Sequence, residues 1–255
     1  MRPRVRILVA AWAALALLAS CAADLETRRI RADAIRKVGE AHMASRDYTS
    51  ALGEFLKAKD LFPEDPALLN NLGLAYMAKN RLEAAEASFK NALALKPNYA
   101  EAWNNLGSAY LAMKKWDAAI AAIGRVTDNL LYATPHYSLA NLGWAHYNKK
   151  NYAQAVIHYQ KALKLAPGFE MALRDLGRTY MAMGKIPQAA ATLSKGVRVA
   201  PRNAEMAFYL AKALAASGDD EGAARQFDRA LRLWPGCPCA PEAQREISRI
   251  EKKIR

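Results

Sequence analysis

The chain has 255 residues, of which 53% are hydrophobic and 24% are charged, and its formal net charge is +13. This length can bury a large apolar surface. A strong positive charge can indicate nucleic-acid binding, but the Lys and Arg residues are scattered along the sequence and form no runs. Most of them are expected on solvated helix faces. Attraction to anionic lipid or to an acidic partner is the alternative.

Residues 1–20 have the parts of an export signal. Three arginines among the first six residues precede an apolar run of 12 residues, Ile7–Leu18. A run of this length is too short to span a bilayer, which takes about 20 residues, but it suits the core of a secretory signal. The run ends in "LASC", which resembles the lipobox of bacterial lipoproteins. That resemblance implies cleavage before Cys21 and lipidation of its thiol. The alternative is an ordinary signal peptide with a chance cysteine.

By analogy with enterobacterial sorting rules, Ala22 after the cysteine favours the outer membrane. We therefore expect a chain that is anchored by lipid on the periplasmic face of the outer membrane. Residues 21–31 are expected to form a lipidated tether and lead-in, and an anchor of several acyl chains would be stable.

From residue 32 the sequence repeats itself six times. Gly39, Gly73 and Gly107 lie 34 residues apart, and so do Gly143 and Gly177. A 34-residue period is typical of tetratricopeptide repeats, each of which is a pair of helices. The sequence therefore predicts an all-α, right-handed superhelical solenoid of six repeats, with a C-terminal capping helix at 238–255. The predicted repeats span 32–65, 66–99, 100–135, 136–169, 170–203 and 204–237.

Each position of the repeat has a predicted role. Small residues such as Gly73 let the two helices of a repeat approach closely, and large residues such as Phe89 fill the space between them. The acidic residues at 64–65 and 219–220 lie in predicted turns, where helix capping or solvation is expected. His42 and His146 occupy an aromatic packing position, whereas His136 and His158 are expected to stand alone.

The period slips by two residues between the third and fourth repeats, within "DNLLYATPHYSLANLGWAHY", Asp128–Tyr147. The third repeat lacks its closing proline, and Pro135 is expected to start the next helix. The inserted residues are expected to bend or loosen the joint between two halves of three repeats each.

No motif in the sequence indicates catalysis, since no nucleophile–base pair, phosphate loop or metal-ligand cluster is present. We expect neither an enzyme nor a bound metal, cofactor, small-molecule substrate or nucleic acid. Cys237 and Cys239 are either a structural disulfide or two reduced thiols, since a bridge between residues two apart closes a small ring.

The first helix of each repeat is expected to line a binding groove. Its predicted partner-binding residues are Asn70, Asn104, Tyr137, Trp144, Tyr147, Arg174 and Arg178. They make the groove mixed at first, aromatic in the fourth repeat and basic in the fifth, and aromatic and Arg side chains are typical of binding hot spots. The alternative is that Trp144 and Tyr147 pack against the neighbouring helix. Asn71, Asn105 and Asn141 are expected to bond backbone between repeats.

A lipobox followed by six such repeats resembles the pilotin lipoproteins of type IV pilus secretins (the PilF, PilW and Tgl group). Tyr132, Thr134, Pro135, Asn141 and Gly143 match that family's "Y-x-T-P…N-x-G" signature, whereas the "GCPCAP" end departs from its pattern.

The resemblance implies a lipoprotein that binds unassembled secretin subunits and promotes their multimerisation and membrane insertion for type IV pilus biogenesis. The alternative is a periplasmic scaffold that recruits peptidoglycan hydrolases or synthases. For either partner, Trp144→Ala and Arg174→Glu are expected to weaken binding and leave the fold intact.

Overall fold

The computed structural model describes residues 3–126 and 135–254. Tyr132 and Thr134 of the signature lie outside these residues, and the side chain of Cys21 lies outside the described side chains. No helix in the described residues is both long enough and apolar enough to cross a membrane. The described helices are α1 Pro3–Ala44, α2 Tyr48–Leu61, α3 Pro66–Ala78, α4 Leu82–Leu95, α5 Ala100–Ala112, α6 Trp116–Gly124, α7 Pro135–Asn148, α8 Tyr152–Leu165, α9 Glu170–Ala182, α10 Ile186–Val199, α11 Ala204–Ser217, α12 Asp220–Leu233 and α13 Ala240–Ile254.

The helices belong to two compact units, Met1–Met113 and Lys114–Arg255. In the first unit, α1 packs on α2 and α3 packs on α4, and α5 continues the stack. In the second unit the pairs are α7 with α8, α9 with α10 and α11 with α12, and α13 packs on α12 as a cap. The predicted all-α fold of paired helices with a final capping helix is confirmed.

The boundary between the units lies inside the third repeat, between α5 and α6. The reason is that α6 packs on α7 and so belongs to the second unit. Its Ala122 and Ile123 are buried there. Most of the insertion, residues 127–134, lies outside the described residues, and α7 begins at Pro135 as expected.

Glycine brings the two helices of a repeat into direct contact. A Cβ placed on Gly73 would lie 2.4 Å from Cε1 of Phe89, and one on Gly143 would lie 2.6 Å from Cε1 of Tyr159. Both aromatic residues are fully buried. Because no side chain larger than hydrogen fits at these positions, the repeated glycine sets the distance between the paired helices.

The turn inside each repeat reverses the chain with one residue in the left-handed backbone region. These residues recur with the repeat and are not always glycine: Arg46, Asn80, Lys114, Lys150, Gly184 and Gly218. Side-chain caps begin several helices after such turns or loops. Asp65 accepts a hydrogen bond from the backbone N–H of Ala67, and Asp219 accepts one from Gly222, which confirms the capping predicted for both.

Candidate functional site

The structure brings three of the predicted groove residues together in the second unit. Trp144 and Tyr147 lie one turn apart on α7, and their rings stack with centroids 5.5 Å apart and planes 8° apart. The guanidinium of Arg178 on α9 lies 5.1 Å from the centroid of Trp144 and 5.4 Å from that of Tyr147. The same guanidinium lies 4.8 Å from the ring of Tyr209 on α11. We call these four residues the aromatic–arginine cluster.

The cluster combines a rigid arrangement with accessible ring surface. A cation over an aromatic face contributes about 0.5–1 kcal/mol where it is exposed and about 2 kcal/mol or more where it is desolvated. Three such contacts hold one Arg178 side chain between the first helices of the fourth, fifth and sixth repeats. All four residues keep an intermediate exposure. Part of each ring is therefore available to a partner.

A buried carboxylate fixes the two predicted arginines. Asp175 is 4% exposed, and it accepts hydrogen bonds from Arg178 Nη1 at 3.2 Å and from Arg174 Nε at 2.9 Å and Nη2 at 3.2 Å. Arg174 Nη1 also donates to Oε2 of Glu205 at 2.8 Å. Two cations therefore face two anions. The prediction that the groove is basic in the fifth repeat is wrong, because Asp175 and Glu205 balance its charge.

The same contacts keep Arg174 permanently charged. Burial lowers the pKa of Arg174, but the hydrogen bonds and negative charges of Asp175 and Glu205 outweigh burial and raise it overall. Tyr159, fully buried on α8, is affected by the same carboxylate. Burial raises the pKa of Tyr159 and the charge of Asp175 raises it further, so this phenol stays protonated. Among the described residues its hydroxyl has no hydrogen-bond partner.

Tyr137 lies apart from this group in its contacts. Its side chain is 47% exposed, and its ring meets those of His136 and Phe169, each at a centroid distance of 4.7 Å. Phe169 is the residue that precedes α9. Tyr137 is thus an exposed aromatic at the start of α7, held against the turn before α9.

The two predicted groove residues of the first unit differ from each other. Asn70 is only 5% exposed, and its Oδ1 accepts a hydrogen bond from Asn105 Nδ2 at 3.0 Å. It therefore joins α3 to α5 and presents little surface to a partner, contrary to expectation. Asn104 is partly exposed on α5, and its backbone carbonyl accepts a hydrogen bond from the hydroxyl of Ser108.

Asn71 and Asn105, which directly follow Asn70 and Asn104, make side-chain hydrogen bonds between repeats. Asn105 donates to Asn70, and Asn71 Nδ2 donates to Glu40 Oε1 at 2.7 Å. The expectation that Asn71 and Asn105 bond backbone is wrong, because both bond side chains of the preceding repeat. Asp175 and Tyr209 occupy the same repeat position, 34 residues apart.

The repeat position of Asn71 and Asn105 is occupied by Asp175 in the fifth repeat and by Tyr209 in the sixth, so the repeat pattern alone points to both residues. Glu205 lies at one of the positions already used for the groove and needed only a reading of the sixth repeat.

The histidines that were expected to stand alone have ring partners. His158 stacks on His146 with centroids 5.2 Å apart and planes 6° apart. Burial lowers the pKa of His158 to about 4, helped by the positive charges of His146 and Lys161. Burial also lowers the pKa of His146, and Lys149 adds to this effect against the opposing charge of Asp117. His136 lies against Phe169, with its ring centroid 4.9 Å away and its ring perpendicular.

Because the pKa of His158 is lowered, we expect the protein to lose stability in mild acid. Free histidine has a pKa near 6.5, so between about pH 6.5 and 4 the unfolded chain binds a proton that the folded His158 refuses. Stability is therefore complete above about pH 6.5 and falls as the pH falls to about 4, by about 1–2 kcal/mol because solvent screens this half-buried ring. Urea unfolding at pH 7.5 and pH 4.5 checks this. His158→Asn should reduce the difference between the two pH values, and an unchanged difference would contradict the assignment.

Cys237 and Cys239 form a disulfide, with their Cα atoms 5.1 Å apart. The bond lies in the turn between α12 and α13, and Cys237 is 3% exposed. The backbone N–H of Ala240, the first residue of α13, bonds the carbonyl of Cys237. The bridge therefore sits where the capping helix begins.

The chemistry of the site is that of recognition. Within the described residues, no group of three or more His, Cys, Asp or Glu side chains could hold a metal ion. The aromatic–arginine cluster offers ring faces and guanidinium N–H groups, which bind apolar side chains and carbonyl or carboxylate oxygens. Paired helices stacked by repetition, with such residues on their first helices, define the class of helical-repeat protein-binding scaffolds.

Comparison with known proteins identifies the family. Models described as "Tetratricopeptide repeat" match residues 174–238 and 136–169, and one described as "TPR repeat" matches 73–114. Together the matched residues exceed half of the chain. The chain belongs to the tetratricopeptide-repeat proteins, a family of protein-binding scaffolds that are typically non-catalytic.

The relatives found share the repeat over different lengths. The BBSome complex member BBS4 of Bos taurus is 32% identical over 93 residues, which is 36% of this chain but only 18% of that protein. The crystal structure of PilW, described as a widely conserved type IV pilus biogenesis factor, has a TM-score of 0.76 at 20% identity. The match covers 86% of this chain and 97% of that chain.

Pseudomonas aeruginosa pilF has a TM-score of 0.75 at 18% identity, over 89% of this chain and 99% of that one. At these identities the likeness is one of fold.

Proposed function

We propose that this protein is an outer-membrane lipoprotein that binds unassembled secretin subunits and promotes their multimerisation and insertion for type IV pilus biogenesis. The observation that carries the proposal is the aromatic–arginine cluster. Its half-buried rings and balanced charges suit an apolar segment of a partner better than an anionic one. Apolar segments of this kind are exposed by a membrane protein subunit before it is assembled.

Two further observations support the same proposal. The similar solved structures include a pilus biogenesis factor and pilF, and both are matched over nearly their whole length. The sequence signature around Pro135 leads directly into α7, the helix that carries Trp144 and Tyr147. Lipid on Cys21 would keep the scaffold on the periplasmic face of the outer membrane, where the subunits are inserted.

The mechanism follows from the geometry of the cluster. An extended apolar segment that lies across α7, α9 and α11 would stack on Trp144 and Tyr147. Its main-chain carbonyl groups would accept hydrogen bonds from the free N–H groups of Arg178, a side chain with five donors. Binding of this kind shields the segment from water until contacts between subunits replace it.

Trp144→Ala tests this site. A central aromatic hot spot is worth about 2 kcal/mol or more, so the dissociation constant for purified secretin subunits should rise at least about 30-fold. Titration calorimetry in solution measures it. Trp234→Ala is the matched control, because Trp234 is 46% exposed and lies outside the cluster. Equal affinities for the Trp144→Ala variant and the wild type would show that the partner binds elsewhere.

The cellular function is tested by deletion. Cells that lack the gene should lose heat-stable secretin multimers and pilus-dependent motility, and a plasmid copy should restore both. Normal multimer levels in the deletion strain would refute the proposed role.

The second candidate is a periplasmic scaffold for peptidoglycan hydrolases or synthases, which the same recognition surface would also serve. Capture from envelope extracts with the wild-type chain, and with Trp144→Ala as the negative control, separates the two. A secretin that is recovered only by the wild type supports the first function, and a cell-wall enzyme supports the second.

A further inference from the structure

A row of exposed aliphatic residues ends the second helix of three successive repeats in the second unit. Leu165, Val199 and Leu233 are the last residues of α8, α10 and α12, and they are 56%, 43% and 38% exposed. The residue before each is a cation: Lys164, Arg198 and Arg232. We call these six residues the basic edge. None of them belongs to the aromatic–arginine cluster, whose residues lie on the first helices.

Two contacts show that successive members of the edge are neighbours. A Cβ placed on Gly168, in the turn after α8, would lie 3.5 Å from Cγ1 of Val199 at the end of α10. Arg229 Nη2 on α12 donates to the backbone carbonyl of Pro201, in the turn after α10, at 2.7 Å. The last turn of α10 thus lies at the turn after α8, and the last turn of α12 lies at the turn after α10, so the edge runs across three successive repeats.

The edge is strongly positive. Neither α8 nor α10 contains an acidic residue, and Lys161 and Lys195 add a cation one turn before the last residue of each. Asp228 pairs with Arg232 on α12. Residues Lys114–Arg255 hold 22 Lys and Arg against 12 Asp and Glu, which gives +10 of the formal charge of +13.

The corresponding positions of the first unit lack this combination. Leu61 and Leu95 end α2 and α4, but the residues before them are Asp60 and Ala94. The repeated sequence therefore supplies the aliphatic residue in both units but a cation directly before it only in the second, although Lys96 follows Leu95 in the first.

We propose that the basic edge docks onto the surface of a membrane rich in anionic lipid. Lys and Arg side chains near such a surface attract its phosphates, while adjacent aliphatic side chains enter the boundary with the acyl chains. Trp234, 46% exposed and next to Leu233, is the residue type that prefers this depth.

A membrane suits the edge better than an acidic protein does. The aliphatic groups project singly at the ends of helices, each with a cation beside it, and a fluid lipid surface accommodates such a row without a matching shape. A lipid on Cys21 would tether the chain to a membrane, but the edge would act whether or not the cysteine is modified. Docking would fix which side of the second unit faces the membrane.

Quenching of Trp234 fluorescence tests the proposal directly. The full chain is reconstituted with vesicles of phosphatidylethanolamine and about one-third phosphatidylglycerol, with bromine on the acyl chains. The contribution of Trp234 is the difference between the wild type and Trp234→Phe, since the chain has five tryptophans. We expect Trp234 to be quenched in these vesicles and not in vesicles of phosphatidylcholine alone.

The charge variants sharpen the test. The double variant Lys164→Glu/Arg198→Glu should lower the ratio of membrane-docked to undocked protein by roughly two orders of magnitude. Arg245→Glu/Lys252→Glu on α13 makes the same change in charge at exposed positions outside the edge and should leave quenching unchanged. Circular dichroism confirms the helical content of each variant.

The proposal would be overturned if Trp234 were not quenched in anionic vesicles, or if it were quenched equally in anionic vesicles and in phosphatidylcholine vesicles. It would also be overturned if both charge variants lost the same fraction of the quenching. A spectral shift of Trp234 with an acidic peptide, without quenching in vesicles, would assign the edge to a protein instead. The comparison between anionic and phosphatidylcholine vesicles does not use the charge variants. It therefore still tests the proposal if a charge variant fails to fold.

Discussion

Arg174→Glu is expected to destabilise the second unit by about 3 kcal/mol, because it removes one partner of a buried ion pair. Asp175 is 4% exposed, and its carboxylate takes two of its three observed hydrogen bonds from Arg174. A glutamate at position 174 would leave Arg178 as the remaining cation on Asp175 and would add a negative charge beside Glu205. Urea unfolding followed by circular dichroism at pH 7.5 measures the change.

Two matched variants separate the buried pair from the exposed one. Glu205→Gln removes only the exposed partner of Arg174, since Glu205 has a side-chain exposure of 47%, and should cost less than about 1 kcal/mol. Arg174→Lys keeps the charge but loses the two-point contact with Asp175, and it should fall between the two. If Arg174→Glu unfolds at the wild-type urea concentration, Arg178 alone satisfies Asp175.

The pairing of Arg174 with Asp175 and Glu205 changes which variant should be used to test the groove. The sequence predicts Arg174 as a groove residue whose charge can be reversed with the fold intact, but the structure shows that its charge is used inside the protein. Within the described part of the chain, Trp144 makes no hydrogen bond to a buried charge, so it is the cleaner probe of partner binding. A loss of binding in Arg174→Glu would mix a loss of fold with a loss of contact.

What the sequence could predict follows from the repeat itself. A strict period places Gly73 opposite Phe89 and fixes where each helix begins, because those features depend on residues within one repeat. The partners of Asn70 and Asp175 depend on how one repeat lies against the next, which a single repeat does not reveal. The polar contacts between repeats are therefore the part of the structure that the sequence does not predict.

The unit boundary shows the same limit. The two-residue insertion is the change in the period that the sequence shows between the third and fourth repeats. The structure divides the chain before α6, a helix of nine residues that packs on α7. Packing of a short helix against its successor is decided by which buried side chains meet, and an interrupted period does not report that.

The two proposals assign distinct roles to two separate surfaces of the second unit. The aromatic–arginine cluster lies on first helices and has balanced charge, whereas the basic edge lies at the ends of second helices and is strongly positive. If both proposals hold, the edge orients the scaffold on the membrane and the cluster holds the partner. Trp144→Ala and Trp234→Ala should then fail in different assays, the first in binding subunits and the second in docking to vesicles.

The packing of Phe89 against Gly73 makes the strongest prediction about the fold. Phe89 is fully buried, so Phe89→Ala should cost about 3–5 kcal/mol through lost burial and the cavity that remains. In the wild-type chain, Gly73→Ala should cost about 1–2 kcal/mol. Its Cβ would lie 2.4–2.6 Å from three ring atoms, and the better helix propensity of alanine offsets only part of that overlap.

In the Phe89→Ala background the effect of Gly73→Ala should change sign. With the ring gone, the added methyl group fills part of the cavity and alanine favours the helix, so the double variant should be more stable than Phe89→Ala by about 1 kcal/mol. Gly53→Ala is the control, because nothing lies within 4 Å of its Cβ, and it should stabilise both backgrounds equally. Urea unfolding of the four chains measures the coupling, and additive effects would show that this glycine does not set the distance between α3 and α4.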